Sequence, residues 1–180
     1  MKMVFSIVSR ISCLLIASLA VNLSFAQTES ANISFVIKNA GIGVDGSFDE
    51  NSLTYQFNPD DLDASYFKLN IPTTTINTGI KGRDKHLRKA KYFDVENYPN
   101  LTFESTKITK TDLGYTLTGE LTIKKTTNTI EIPFTMEEIE GQKSLSGYVE
   151  LDRRDYGVGK NHLILGDLVR ISIKVAYKEN

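Results

Sequence analysis

The stretch Tyr115-Thr116-Leu117-Thr118-Gly119-Glu120-Leu121-Thr122-Ile123 decides the fold. Its odd-numbered positions are apolar or small, and its even-numbered positions are Thr or Glu. Side chains alternate between the two faces of an extended chain, so this pattern reads as a strand with one wet face and one buried face. The same period continues outward in both directions. Toward the C-terminus come Ile130, Ile132, Phe134 and Met136, then Leu145, Gly147, Val149 and Leu151, then Val169, Ile171, Ile173 and Val175. Toward the N-terminus come Leu101, Phe103 and Ser105, then Phe67, Leu69 and Ile71, then Leu53, Tyr55 and Phe57, then Ile33, Phe35 and Ile37. The pattern predicts eight strands. Asn58-Pro59-Asp60-Asp61, Asp112-Leu113-Gly114 and Glu140-Gly141-Gln142 supply turns between them. Late in the chain the links are short, which favours antiparallel meander pairing over βαβ units.

One segment breaks the period. Residues 79–99 do not alternate; Arg83 to Ala90 favours a helix, and Tyr98-Pro99 stops it. A short helical insertion is therefore expected between strands three and four. Eight antiparallel strands, each with one apolar face, hide those faces by curling into a closed barrel, which also removes exposed edges. At this strand number the lumen is either filled by side chains or holds one small ligand. Gly119 and Gly147 fall on the inner face, either as points of tight strand coiling or as room for a ligand.

The chain has 180 residues, of which 41% are hydrophobic and 24% charged, a composition that excludes disorder, collagen and coiled coil. The formal net charge of −1 supplies no bulk basic field to hold nucleic acid. Residues 1–26 read as a secretory signal peptide. Lys2 and Arg10 give a positive start, Ile11 to Val21 an apolar core too short to span a bilayer, and Ser24-Phe25-Ala26 small residues before a cut at Gln27. Cys13 does not read as a lipid-anchor cysteine, because Arg10 and Ile11 precede it and the apolar core follows it. Cleavage leaves one domain over 27–180. Lys plus Arg then falls from 21 to 19 against 22 Asp plus Glu, for a net charge of −3. The product has no cysteine and no later apolar span, so it is expected in the periplasm or secreted, without disulfides or a transmembrane anchor.

Several local motifs invite functional readings. Gly41-Ile42-Gly43-Val44-Asp45-Gly46 matches a dinucleotide fingerprint, but Ser47 to Ser52 and another strand follow where a helix is needed, so it reads as a tight turn or bulge in a hairpin. Asn58 to Asp63 resembles a calcium loop, but Asp63 and Leu69 stand where Gly and Glu are required, so it reads as a solvated loop. His86 and His162 do not have the spacing of a metal site, and no Gly-x-Ser-x-Gly elbow occurs. Asp152-Arg153-Arg154-Asp155 and Arg83-Asp84 are compact charge clusters. Either they are ion pairs pinning loops to the rim, the preferred reading for Arg153, or their arginines capture an anionic head group.

Taken together, these pieces resemble the YceI-like family of exported lipid-binding barrels. The resemblance runs through Ile33 to Phe48, Gly82-Arg83-Asp84-Lys85-His86-Leu87-Arg88, Tyr92-Phe93-Asp94-Val95 to Pro99, Leu101 to Thr106, Gly119 to Ile123, and Leu151 to Gly157. It implies an eight-stranded lipocalin-like barrel, a lumen for an isoprenoid or other long-chain amphiphile, often a dimer, and no settled enzymatic activity. Two departures stand out. Asn39 replaces the usual His after the first strand, and Lys124-Lys125 replaces the usual Gly after Leu-Thr-Ile.

The expected function is a periplasmic carrier for an amphiphilic lipid, without cofactor, metal or nucleic acid. Tail contacts are assigned to Phe35, Ile37, Phe57, Phe67, Leu69, Phe103, Leu117, Leu121, Phe134, Val149, Ile171 and Ile173. Polar contacts at the mouth are assigned to Asn39, Arg83, His86 and Arg153. One alternative is a hydrolase of lipid-linked substrates using a pair such as Ser105 and His86. Another is a filled barrel acting as a stress-response interaction scaffold.

Overall fold

The computed structural model describes residues 27–161 and 163–177. Residues 1–26, over which a signal peptide is expected, His162 and residues 178–180 lie outside them. Eleven strands form among the described residues: β1 (Gln27–Glu29), β2 (Asn32–Asn39), β3 (Ile42–Phe48), β4 (Ser52–Gln56), β5 (Tyr66–Pro72), β6 (Ile76–Asn77), β7 (Asn100–Thr111), β8 (Gly114–Ile123), β9 (Thr126–Ile139), β10 (Gln142–Asp152) and β11 (Leu165–Tyr177). One α-helix, α1 (Lys81–Leu87), and two short 3₁₀ turns, η1 (Thr73–Thr75) and η2 (Arg153–Tyr156), complete them.

The count of eight is thus corrected to eleven. The additions are β1, β3 and β6. β3 was hidden by its glycines, and the other two are too short for a period of two to register. Helix α1 follows β6, inside the non-alternating segment.

All strands pair antiparallel in one curled sheet, ordered β1-β4-β5-β7-β8-β9-β10-β11-β2-β3-β6. β7 to β11 form the expected meander. The expectation of a closed barrel is corrected as well: the sheet's two ends, β1 and β6, do not pair with each other, so the sheet curls as a half-barrel without closing. Chain continuity and side chains draw the ends together instead. β5 runs through η1 into β6, which pairs with β3 through Ser47↔Asn77 and Phe48↔Ile76. Tyr55 Oη donates to the Ala176 carbonyl at 3.0 Å, and Tyr177 Oη donates to the Phe57 carbonyl at 3.2 Å.

The glycine-rich motif proves to be a hairpin. Ala40 and Gly41 both have positive φ, 51° and 79°, as a two-residue mirror-image turn requires. Further along β3, Gly46 pairs with Phe35. The Phe35 ring packs against it, and a Cβ there would sit 2.3 Å from the ring.

Gly119 has a similar cause. It pairs with Ser105 beside a register shift in β7. A Cβ on it would lie 2.4 Å from the Phe103 ring and 2.6 Å from the Glu104 carbonyl. Ser105 patches the irregularity by accepting from the Phe67 N–H at 2.8 Å. Gly119 therefore permits close approach rather than providing ligand space. Gly147 does border the interior, though a Cβ would already meet Ile132 Cγ2 at 3.2 Å.

The interior differs from side to side. On β7–β9, Leu101, Phe103, Leu117, Leu121, Ile132 and Phe134 are all buried. Each fully buried side chain of this kind contributes about 1.5–3 kcal/mol. On β2, β10 and β11, Ile37, Val149, Leu151, Val169, Ile171 and Ile173 also face inward but are only half-buried. What exposes them is a void.

Candidate functional site

That void is a cavity of about 250 Å³ bounded by residues from β2 to β11 and the helical segment. An apolar hole of ~150 Å³ accommodates benzene, which scales to ~25 Å³ per carbon. The cavity as it stands therefore has room for a chain of about ten carbons.

Fourteen of the residues assigned from sequence reach it: Phe35, Ile37, Asn39, Phe67, Leu69, Arg83, Phe103, Leu117, Leu121, Phe134, Val149, Arg153, Ile171 and Ile173. Phe57 does not. It lies beyond one end of the cavity, with its ring 5.1 Å from Tyr115, 5.5 Å from Phe134, 5.9 Å from Tyr177 and 6.1 Å from Phe67. These rings form an aromatic floor. His86 does not line the cavity either; it is exposed on α1, its ring 5.0 Å from that of Tyr92. Sequence reasoning missed Val44 and Phe48 on β3, and Leu87 and Phe93 in the helical segment. The only signal for Val44 was its alternation with Asp45.

At the end opposite the floor the lining turns polar. Asn39 ends β2, while Thr78 and Arg83 flank the start of α1. All three are half-buried. The Arg83 guanidinium is held by one residue: Nε donates to Thr78 Oγ1 at 2.7 Å and Nη2 to the Thr78 carbonyl at 2.5 Å. Thr78 is fixed in turn by the buried Asp84 carboxylate, whose Oδ1 accepts from the Thr78 hydroxyl at 2.5 Å and the Thr78 N–H at 2.9 Å. Asp84 therefore acts on Arg83 only through Thr78. Among the described residues Arg83 makes no ion pair, so its charge is uncompensated where it lines the cavity.

Arg153 has the opposite character. It is 5% exposed. Its Nε donates to the Gly166 carbonyl at 2.8 Å, and Nη1 to the Val158 and Lys160 carbonyls at 2.9 and 3.1 Å. Nη2 donates to the Leu165 carbonyl at 3.4 Å and to Asp167 Oδ1 at 2.9 Å. A guanidinium has five N–H groups, and these five bonds occupy them. Arg153 pins the loop before β11 and has no fork left for a ligand. Its neighbour Arg154 clamps Asp152, and this hydrogen bond holds the Asp152 carboxyl down at about 2.

Lys124 takes up the left-handed φ of 55°, the conformation that suits the glycine expected at this turn. Its Nζ donates to the Ala90 and Gly157 carbonyls at 3.3 and 3.2 Å, tying the β8–β9 turn to both covering segments.

The interior is hollow rather than filled. Ser105 and His86 share no hydrogen bond, and neither borders the cavity. No group of three or more metal-ligating side chains occurs among the described residues. No helix among them is long and apolar enough to cross a membrane. What this geometry supports chemically is burial of one apolar chain beneath a fixed cation.

A family model for the YceI-like domain matches residues 26–177. A UPF0312 protein of Pectobacterium atrosepticum is 33% identical over 107 residues, 59% of this chain and 56% of that protein. A UPF0312 protein of Yersinia enterocolitica is 34% identical over 112 residues, 62% of this chain and 56% of its own length. The chain thus spans just over half the length of these curated relatives. Among solved structures, Burkholderia cenocepacia BcnA superposes with a TM-score of 0.76 at 24% identity, over 82% of this chain and 96% of that one. A Campylobacter jejuni YceI protein gives 0.67 at 24% identity, over 76% and 85%. A structure described as a polyisoprenoid binding domain from Saccharophagus degradans, implicated in plant cell wall breakdown, gives 0.63 at 14% identity, over 83% and 94%. At such identities the likeness is one of fold: a curled antiparallel sheet.

Proposed function

The chain belongs to the YceI-like family, and on that premise we propose that it is an exported, periplasmic binding protein for a single-chain amphiphile, isoprenoid or fatty-acid-like. The tail lies in the cavity with its end toward the aromatic floor, and the head stays at the mouth beside Arg83 and Asn39. The observation that carries this reading is the row of inward-facing aliphatics on β2, β10 and β11 left half-buried around about 250 Å³ of empty space. An apolar wall exposed to nothing but a void lacks contacts that a hydrocarbon would restore. The polyisoprenoid-binding description of the Saccharophagus degradans domain supports an isoprenoid as one tail class.

The energetics favour long chains. Burying ten CH₂ groups yields roughly 8 kcal/mol gross. Association costs at least about 4 kcal/mol, so a ten-carbon chain binds at around millimolar. Each further methylene that finds wall improves affinity about fourfold. Tight binding thus requires a tail that uses the whole cavity and parts its looser wall. A series of saturated carboxylates, titrated against a fluorescent apolar probe, tests this. Affinity should climb about fourfold per carbon and then level off when the tail meets the floor. A series with no dependence on chain length would contradict a lumenal tail. Native mass spectrometry of protein from its own host identifies the natural ligand.

A further inference from the structure

The mouth carries a feature that holding a ligand does not require. Three large apolar side chains stand in solvent there: Ile42 at 72% exposure, Ile80 at 56% and Leu163 at 104%. They come from three separate segments, the β2–β3 hairpin, the residue before α1, and the chain entering β11. Those segments meet at one end of the sheet. The Ala40 N–H donates to the Ile164 carbonyl at 2.7 Å, and Asn39 pairs with both Ile42 and Leu165. Thr78 and Arg83, on either side of Ile80, line the cavity together with Asn39 and Leu165. Singly exposed apolar residues are ordinary, but three converging on the rim of a cavity mark an interaction surface.

Charge follows the same axis. The mouth-end segments 38–45, 81–98, 124–125 and 152–167 contain 12 Lys plus Arg against 7 Asp plus Glu. The segments around the floor, 57–66, 110–115 and 137–143, contain 2 against 7. A chain whose net charge is negative thus presents a positive face at its opening and a negative one at its closed end.

We propose that the mouth docks on an anionic phospholipid leaflet, with Ile42, Ile80 and Leu163 entering the interface and Lys81 and Lys85 facing the head groups. Charge complementarity orients the protein before contact, and the acidic floor turns away from the surface. Three apolar tips carried on separate segments suit a fluid surface rather than a shaped protein partner. In this pose the cavity opens directly onto the leaflet, so an apolar tail could enter without crossing water.

The experiment is vesicle sedimentation of the purified protein, with phosphatidylcholine alone and with phosphatidylglycerol added, and without ligand. Docking is thus measured apart from ligand binding and can fail while the binding reading stands. Binding to anionic vesicles should exceed binding to neutral ones at least tenfold, and should collapse at ~1 M salt, where charges are screened beyond ~3 Å. Ile42→Asp with Leu163→Asp, and separately Lys81→Glu with Lys85→Glu, should each weaken it about tenfold. Both variants should keep wild-type affinity for a fluorescent apolar probe in solution, which shows that they are folded. Leu113→Asp, at an equally exposed position on the β7–β8 turn near the floor, should change nothing. Absence of vesicle binding, indifference to anionic lipid, or an equal loss in Leu113→Asp would each overturn the proposal.

Discussion

Filling the hollow distinguishes a ligand chamber from an imperfectly packed core. Val149 and Val169 lie on β10 and β11, both inward and half-buried. Changing both to Phe adds eight carbons, ~200 Å³ at the per-carbon volume scaled from benzene. Of about 250 Å³, ~50 Å³ would remain, room for two carbons rather than ten. The lost burial is roughly 6 kcal/mol, enough to make ten-carbon binding unmeasurable. Stability should move the other way. Added rings meet empty space, and cavity filling commonly gains about 0.5–2 kcal/mol. In a solid core the same insertion costs about 1–3 kcal/mol through forced rotamers and backbone shifts. Urea unfolding followed by circular dichroism, beside probe titration, reads both quantities. A double variant that is destabilised by 1–3 kcal/mol yet still takes up the probe would refute the hollow interior and the ligand reading built on it.

Further tests address single residues. Arg83→Gln should cut affinity for a long-chain carboxylate while leaving the matching alcohol almost unchanged; calorimetry with both ligands checks it. Arg153→Met should cost about 3–5 kcal/mol in urea unfolding, because four carbonyls and the Asp167 carboxylate lose their shared donor. Gly119→Ala should cost about 1–3 kcal/mol, since its methyl meets the Phe103 ring and the Glu104 carbonyl; the thermal midpoint reports it. The depressed Asp152 carboxyl gives a pH signature. Its stabilisation is present above the unfolded carboxyl value near 3.9 and fades as pH falls toward about 2. The difference between wild type and Asp152→Asn in urea midpoint should therefore be constant from pH 7 to about 5, shrink as pH falls through the unfolded value, and vanish near pH 2.

Alternation made the inner face legible because a half-buried strand must repeat it. It identified most of the cavity wall. It failed where the chain lacks side chains to alternate or is too short to show a period. β3 carries Gly43 and Gly46, the latter covered by a ring from β2, so only Val44 and Phe48, separated by a glycine, mark its inward face. β6 has two residues. Phe57 has the right parity, yet strand pairing ends beside it and its ring joins the floor. Met136 is in phase with Phe134 but exposed, because β9 runs on past its pairing with β8. His86 shares a motif with Arg83, but side chains three positions apart on so short a helix need not reach the same opening. Among the arginines, sequence proximity to acids was an uneven guide: Arg154 does clamp the nearby Asp152. Arg83 stands beside Asp84 and does not pair with it, whereas Arg153 finds Asp167 across a loop.

The uneven interior has a kinetic consequence. β7–β9 pack Phe103, Phe134 and buried aliphatics tightly, while β10 and β11, though paired over a long ladder, hold Val149, Leu151, Val169, Ile171 and Ile173 half-buried over the void. Amide hydrogens in the first group should exchange only when the whole molecule unfolds, and those in the second through smaller, more frequent openings. A guest chain could then slip in during such an opening, and by giving the thin wall something to lean on it would slow the very fluctuation that admitted it.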